Sequence, residues 1–493
     1  MAVGEAFRNP LYPVALADPF VLKFNGSYYA YGTPASGAIP VLRSLDLVNW
    51  ERAGAAVGAP PPDQRHWAPE VAYDNGRFFL YYSTGGPEGE GHQLRVAVAT
   101  SPTGPFHQGR EVLDRWDPFT IDGHPFRDDD GEWYLFYSRD FLEGHPVGTG
   151  IVVDRLLDMV RLAGERVTVV RPHAEWHIFE RDRRWYDRVW DWYTVEGPSV
   201  RKHEGRYWCF YSGGSWHAGN YGVTCAVADH PLGPYEPVAA PDGATVLRTA
   251  PGKVIGPGHA SIVVAPDNIS EYLVYHAWDP SLTGRYMFGD PLVWVEGQPA
   301  SPGPRIDPQP CPPGPTFRDL FDGGDATRLD PSRWRARGRW EVHRGEAVHP
   351  VHATAASAVV TLVPSSSYLL EVNLSLRHRA SSRALYGALS WYEDEDTYDA
   401  VLIRVADRSV IWRRLRRGAA DDTVLAGLAG DFDAAAYHQL IVRRTAGSIE
   451  ATLDGVALQP AGGPSSPGAV GLWTNAPSAF TGVALTDLDW IPD

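Results

Sequence analysis

At 493 residues the chain is longer than one ordinary core organises, since domains run roughly 100–200 residues, so a single small binding module is excluded. Hydrophobic residues at 44% and charged residues at 21% exclude a disordered chain, and 50 glycines with 42 prolines favour many short strands over long helices. Sixty acidic against 44 basic residues give a net charge of -16; this repels nucleic acid and anionic membranes and fits a neutral substrate better.

The N-terminus, MAVGEAFRNP, has no charged segment followed by an apolar one, and no run of about 18 apolar residues occurs anywhere. The expectation is a cytoplasmic protein if the chain is complete, and a secreted one if a signal peptide was removed. Then one pattern recurs five times: a short strand, a turn, and a strand crowded with aromatics. The copies are FVLKFNGSYYAYGT (20–33), EVAYDNGRFFLYYST (70–84), HPFRDDDGEWYLFYSR (124–139), PSVRKHEGRYWCFYSG (198–213) and ASIVVAPDNISEYLVYHA (260–277). Further strand-like runs follow the copies, such as LRVAVAT (94–100) and YGVTCAVAD (221–229). Multi-strand repeats of about 50–75 residues with almost no helical periodicity are the pattern of a propeller, and five repeats predict five blades over residues 1–297. A single large sandwich has no reason to repeat an aromatic strand at this period.

Cys209 and Cys225 fall in adjacent predicted strands of the fourth blade and read as buried thiols. With Cys311 they make an odd, sparse set that cannot form a disulfide framework. Gly297 to Pro315 reads GQPASPGPRIDPQPCPPGP, with eight prolines and no aromatic, so residues 298–315 are expected to be a proline-rich linker. Beyond it, AVVTLV (358–363), YLLEVNLSLRH (368–378) and DAVLIRV (399–405) predict antiparallel strands, and residues 316–493 are expected to form a jelly-roll-like β-sandwich. The basic run WRRLRRG (412–418) reads as a solvated strand face rather than a binding patch.

Chemistry-bearing residues stand at the start of each blade's first strand: Asp18 in LADPF, Trp67 and Glu70 in HWAPEV, Asp122 in TIDGHPF, Glu196 in VEGPSV and His259 in GPGHAS. Innermost propeller strands line a common channel, so these residues are expected to converge. Glycosidic hydrolysis needs a protonated carboxylic acid at the leaving oxygen and an ionised carboxylate to activate water. Two carboxylates in unequal environments supply both, and a third raises the acid's pKa by repulsion. The chain offers no GxGxxG after a strand, no P-loop, no HExxH and no GxSxG elbow.

With ADPF, WAPEV, IDGHPF, EGPSV, GPGHAS and the arginine of GRYMFGDPLVW in this order, one motif per blade or nearly so, the chain resembles glycoside hydrolase family 43 over about residues 10–300. The resemblance implies a five-bladed propeller, an inverting mechanism and action on arabinose- or xylose-containing plant polysaccharides. It implies Asp18 as general base, Glu196 as general acid and Asp122 as the residue that tunes and orients that acid. By the same resemblance His259 is the channel histidine that in many members lies beside calcium or a water cluster, and Arg285 the arginine that bonds the terminal sugar. No cofactor is required; a structural calcium reached from His259 through water is an expectation. Phe20 and Trp67 are candidates for stacking on the sugar.

The segment EWHIFERDRRWYDRVWDWYTVEGP (175–198) suits a subsite wall, a lid or a docking surface. FRDLFDGGDATRLDPSRWRARGRWEVHRGEAV (317–348) resembles the opening of a concanavalin-like sandwich, expected to serve the enzyme's architecture more than to act as a tethered binding module. The expected activity is an exo-acting α-L-arabinofuranosidase on a carbohydrate partner. A β-xylosidase, an endo-arabinanase, a galactofuranosidase and a carbohydrate-binding propeller without catalysis are the alternatives. The sequence sets no oligomeric state.

Overall fold

The computed structural model describes residues 6–113, 117–240, 242–352, 355–377, 382–445 and 447–489, and nearly all of its regular structure is strand. By its internal contacts the chain divides into two compact units. One comprises Met1–Phe24, Tyr28–Ala265 and Ser270–Pro312; the other comprises Asn25–Ser27, Pro266–Ile269 and Pro313–Asp493.

The first unit is a five-bladed propeller. Blade 1 is the meander Leu16–Phe24, Ser27–Pro34, Ile39–Ser44 and Trp50–Val57, and blade 2 is Arg65–Asp74, Arg77–Gly85, Gln93–Ala99 and His107–Val112. Blade 3 is built on Thr120–Arg127, Trp133–Phe141, Gly148–Asp158 and Val167–Val170. Blade 4 is built on Arg188–His203, Arg206–Gly213, Gly222–Ala228 and Glu236–Pro237. A short parallel pairing of Gly148–Thr149 with Tyr193–Thr194 joins these two into one continuous sheet. Blade 5 is Ile255–Val264, Glu271–Trp278, Arg285–Val295 and Gln298–Ala300. The first strands of successive blades neighbour one another all the way round, and that of blade 5 returns to that of blade 1.

The aromatic crowding follows from the ring. A blade is covered on both faces, so its strands carry apolar residues at successive positions instead of alternating with polar ones. Each blade-to-blade gap holds its own apolar cluster. Tyr31 and Val41 meet Val71 and Leu80 between blades 1 and 2, and Tyr81 and Leu94 meet Leu135 and Val152 between blades 2 and 3. Phe136 and Ile151 meet Cys209 and Tyr211, Phe210 and Val223 meet Leu273 and Tyr275, and Val274 and Met287 meet Leu16 and Leu42 to close the circle. At full burial each such side chain is worth about 1.5–3 kcal/mol of transfer free energy. The hairpins are tight because Asn75 and Gly76 both take positive φ, 46° and 86°, the turn whose twist matches that of paired strands. Cys209 and Cys225 are buried free thiols, and Cys311 is exposed.

The segment read as a linker from its prolines belongs to the propeller unit over most of its length. Gln298–Ala300 pairs with Val293–Val295 as the outer strand of blade 5, and Gln309–Pro310 pairs with Ala6–Phe7. Proline is compatible with an edge strand because the missing N–H faces away from the ladder. Asn9 fastens the same segment: its Nδ2 donates to Gly289 O at 3.1 Å and to Arg305 O at 2.9 Å.

The second unit is a β-sandwich of a nine-stranded and a seven-stranded sheet. Its core runs between them, with Leu370, Val372 and Leu374 from one sheet against Ala388, Val401, Val470 and Leu472 from the other. The arginines of 412–418 are partly absorbed by ion pairs on their own sheet: Arg413 meets Asp422 at 2.8 Å and Arg416 meets Asp399 at 2.7 Å. No helix among the described residues is long and apolar enough to cross a membrane.

Candidate active site

The first strands of blades 2 to 5 break their ladders at the same place. Register shifts fall between Trp67 and Glu70, Ile121 and His124, Glu196 and Ser199, and Gly258 and Ser261. At this point one residue per blade takes a left-handed backbone: Asp18 (φ 48°), Ala68 (44°), Asp122 (58°), Gly197 (59°) and His259 (52°). A bulge of this kind costs local strain and re-aims a side chain. Asp18, Asp122 and His259 therefore occupy one equivalent position in three blades. Glu196 does not share it; it stands one residue earlier, and glycine fills the strained position of blade 4.

The N–H groups that the bulges take out of the ladder are answered from the preceding blade. Ala68 N donates to Thr33 Oγ1 at 2.8 Å, His259 N to Ser212 Oγ at 2.7 Å, and Asp18 N to His276 Nδ1 at 3.1 Å. In blade 4 the acceptor is a carboxylate, Asp122 Oδ2, 3.0 Å from Gly197 N. Buried backbone donors are costly to leave unpaired, so these caps hold the bulges in place.

Asp18 is buried, with 9% of its surface exposed. Its Oδ1 lies 3.2 Å from Arg285 Nη1 and 3.0 Å from His276 Nδ1, and its Oδ2 accepts from Thr33 Oγ1 at 2.6 Å. Burial pushes its pKa up, but the Arg285 guanidinium, with His259 and His276 beside it, wins and holds the carboxyl well below the usual range. Asp18 is ionised at neutral pH.

Glu196 and Asp122 behave oppositely. Burial drives the Glu196 carboxyl up to about 7, against the opposing hydrogen bond that Tyr221 Oη donates to its Oε1 at 2.8 Å. Asp122 is raised well above its ordinary value, first by burial and then by the charges of Glu196 and Asp18. Two buried carboxyl groups that repel each other cannot both ionise cheaply, so the pair retains a proton at neutral pH. One ionised carboxylate thus sits near a protonated pair.

Arg285 also lies over the ring of Trp216, 4.3 Å from its centroid, and Trp216 is parallel to Trp278 at 6.2 Å. Trp67 is partly exposed and stacks on His92 at 3.6 Å. Phe20 packs against the apolar cluster between blades 1 and 2 with part of its surface open. The tryptophan-rich segment forms a hairpin, Ile178–Trp185 with Arg188–Trp192, that prolongs the first strand of blade 4 beyond Glu196. Its Tyr186 Oη bonds Asp140 at 2.9 Å, its Trp192 is fully buried, and its Arg183 lies over Trp185 at 4.6 Å. Arg183 of this hairpin acts by its charge on Glu196.

His259 lies 3.5 Å from Asp18 Oδ1 and beside Gly197, where a Cβ would come within 3.1 Å of its ring. Burial lowers its pKa, so the imidazole is neutral. Glu70 is not beside Asp18 in this network. Its Oε2 meets His124 Nδ1 at 2.7 Å, and His124 Nε2 accepts Val200 N–H at 3.0 Å, which links blades 2, 3 and 4. Among the described residues no three His, Cys, Asp or Glu side chains converge as metal ligands. The residues around His259 therefore do not fit a directly ligated calcium, and no step below passes through one. Thr33, Tyr221, His276 and Trp216 escaped sequence reading. For His276 alone a signal existed: the residue after the last tyrosine of four aromatic strands is serine or histidine, as in YST, YSR, YSG and YHA.

Residues 7–299 match the model of Glycosyl hydrolases family 43. A thermostable family-43 glycoside hydrolase of known structure superimposes with a TM-score of 0.55 at 32% identity, covering 62% of this chain and 99% of that one. A beta-D-galactofuranosidase of Aspergillus niger is 26% identical over 54% of this chain and 75% of its own length. An extracellular exo-alpha-(1->5)-L-arabinofuranosidase of Streptomyces chartreusis is 26% identical over 55% of this chain and 82% of its own.

Proposed function

The chain belongs to glycosyl hydrolase family 43, and from that premise we propose an inverting, exo-acting glycoside hydrolase that removes terminal pentose residues, most specifically an α-L-arabinofuranosidase. The substrate is a carbohydrate. The observation that carries the reading is the unequal surroundings of two buried carboxyl groups: Asp18, 3.2 Å from Arg285, is held well below the usual carboxylate range, and Glu196, bonded to the Tyr221 hydroxyl, is driven by burial up to about 7.

In this mechanism Asp18 takes a proton from water as the water attacks the anomeric carbon. The glycosidic C–O bond breaks, and Glu196 gives its proton to the departing oxygen. Asp18 is left protonated and Glu196 ionised, and exchange with solvent restores both. Asp122 holds the Gly197 N–H and so orients the acid, whose proton affinity is kept high by burial. Arg285, backed by Trp216, fixes the sugar next to Asp18, and Trp67 and Phe20 offer apolar faces to it. Likeness to an exo-arabinofuranosidase supports the arabinose assignment, and likeness to a galactofuranosidase keeps a hexofuranose as the second reading. A panel of 4-nitrophenyl glycosides tests it. The reading expects the α-L-arabinofuranoside to be turned over fastest, ahead of the β-D-xylopyranoside and β-D-galactofuranoside. Faster release from either of the others would replace it.

A further inference from the structure

Tyr221 was not among the residues the motifs singled out, and none of the roles above uses its hydroxyl. It immediately precedes the third strand of blade 4, Gly222–Ala228, is 1% exposed, and places that hydroxyl 2.8 Å from Glu196 Oε1. Its ring lies parallel to that of His276, at 8° and 5.7 Å between centroids, and His276, fully buried, is 3.0 Å from Asp18 Oδ1. One rigid aromatic pair thus backs both the acid and the base. The neighbouring strand makes room for it: a Cβ on Gly258 would fall 2.1 Å from Tyr221 Cε1, so only glycine at 258 leaves the ring where it is.

Resting on the assignment of Glu196 as the acid, we propose that Tyr221 is the positioning residue of that acid, its hydroxyl occupying Oε1 so that the transferable proton rests on Oε2. A phenol hydroxyl has one proton to give. Once it is given to Oε1, a carboxyl proton on the same oxygen would face it head-on, so the carboxyl protonates on the other side. Burial and the charge of Glu196 raise the phenol's own pKa well above 10, which keeps it a donor throughout the working range. After the carboxyl has lost its proton the same bond stabilises the carboxylate left behind, so the hydroxyl pulls the acid's pKa down against burial. The charged groups acting on Glu196 are Asp18 of blade 1, Arg285 of blade 5 and Arg183 of the hairpin, and Glu196 in turn raises Asp122 of blade 3. Tyr221 is the neutral donor among them. A residue that only filled space would leave the proton affinity of Glu196 unchanged.

The test is the pH dependence of kcat/KM for Tyr221→Phe, measured on an unactivated oligosaccharide and on a 4-nitrophenyl glycoside. Loss of one hydrogen bond to the ionised carboxylate raises its pKa by about one unit, so the alkaline limb moves upward by about that much. Turnover falls on the oligosaccharide, roughly tenfold or more, and much less on the aryl glycoside, whose leaving group needs little protonation. An alkaline limb that stays put, or equal losses on both substrates, overturns the proposal. Should the phenylalanine variant not fold, 3-fluorotyrosine placed at 221 keeps the ring and gives a stronger donor. The limb then moves downward, and an unmoved limb overturns the proposal. Glu196→Ala separates the two levels: full turnover of the oligosaccharide by that variant removes the acid assignment itself. Its loss together with an unmoved limb in Tyr221→Phe removes only the role of Tyr221.

Discussion

Gly197 N–H donates to Asp122 Oδ2 at 3.0 Å, so a carboxylate of blade 3 holds the residue that follows Glu196 in blade 4. The bond explains how Asp122 acts on an acid it need not touch. It fixes the strained backbone at Gly197, φ 59°, and through it the direction of the neighbouring side chain.

Asp122→Asn keeps an oxygen for the Gly197 N–H but removes the charge. In the native pair, ionising both carboxyl groups is opposed by their repulsion. That repulsion falls on Asp122 and not on Glu196, whose rise to about 7 comes from burial, so the alkaline limb of the pH–rate profile stays near its native position. Activity at the optimum falls by roughly 10²-fold, the low end of general acid catalysis. A pH–rate profile of the folded variant, verified by circular dichroism, makes the comparison.

Arg285→Met acts at the other limb. The guanidinium 3.2 Å from Asp18 is the largest influence opposing the burial that would raise its pKa. The native base therefore stays ionised below the usual carboxylate range, and its contribution to stability is present above about pH 3.9 and lost only as pH falls through the depressed folded value. In the variant Asp18 protonates at higher pH, and the acid limb climbs. Activity against pH between 3 and 7, with thermal melts over the same range, reads both effects; the variant's melting temperature should lie furthest below the native one well above pH 3.9, where the buried Asp18 charge has lost its guanidinium, and the gap should close as pH falls and Asp18 becomes protonated.

How much of this was legible in the sequence depended on the period of the signal. The blades were readable because Gly76, Gly131 and Gly205 punctuate aromatic strands at repeating intervals, and a covered blade tolerates no polar face. The three carboxylates were readable from their motifs, but the phase of Glu196 was not. A bulge adds one residue to a strand, and nothing in VEGPSV shows whether glutamate or glycine takes the left-handed position. Tyr221, just before a third strand, and His276, on a second strand, lie away from the motif-bearing first strands; Tyr221 reaches Glu196 within its own blade, and His276 reaches Asp18 through the ring's closure. The proline-rich tail misled because composition reports the lack of donors, not the edge ladder that tolerates it. Sequence reading had Gly297 as the last residue before a linker, yet the propeller unit continues to Pro312.

That continuation has a measurable consequence. A chain ending at Gly297 lacks the outer strand of blade 5 and leaves Gly289 O without the Gln309 Nε2 bond at 3.2 Å and Asn9 without Arg305 O. Each hydrogen bond so lost costs about 0.5–1.5 kcal/mol, and each kcal/mol lowers the melting temperature of a domain this large by roughly 2–4 °C. Ending the chain at Pro312 keeps all of these. Melting curves should therefore rank the Pro312 end above the Gly297 end by several degrees, irrespective of what the sandwich contributes.

The central claim is a single displacement at the anomeric carbon by water activated at Asp18, with Glu196 protonating the leaving oxygen. Proton NMR of the sugar released from an α-L-arabinofuranoside, recorded before mutarotation, tests it most directly. The account predicts that β-L-arabinofuranose appears first and the α anomer follows by equilibration. First release of the α anomer would mean two displacements through a covalent intermediate, and would contradict it.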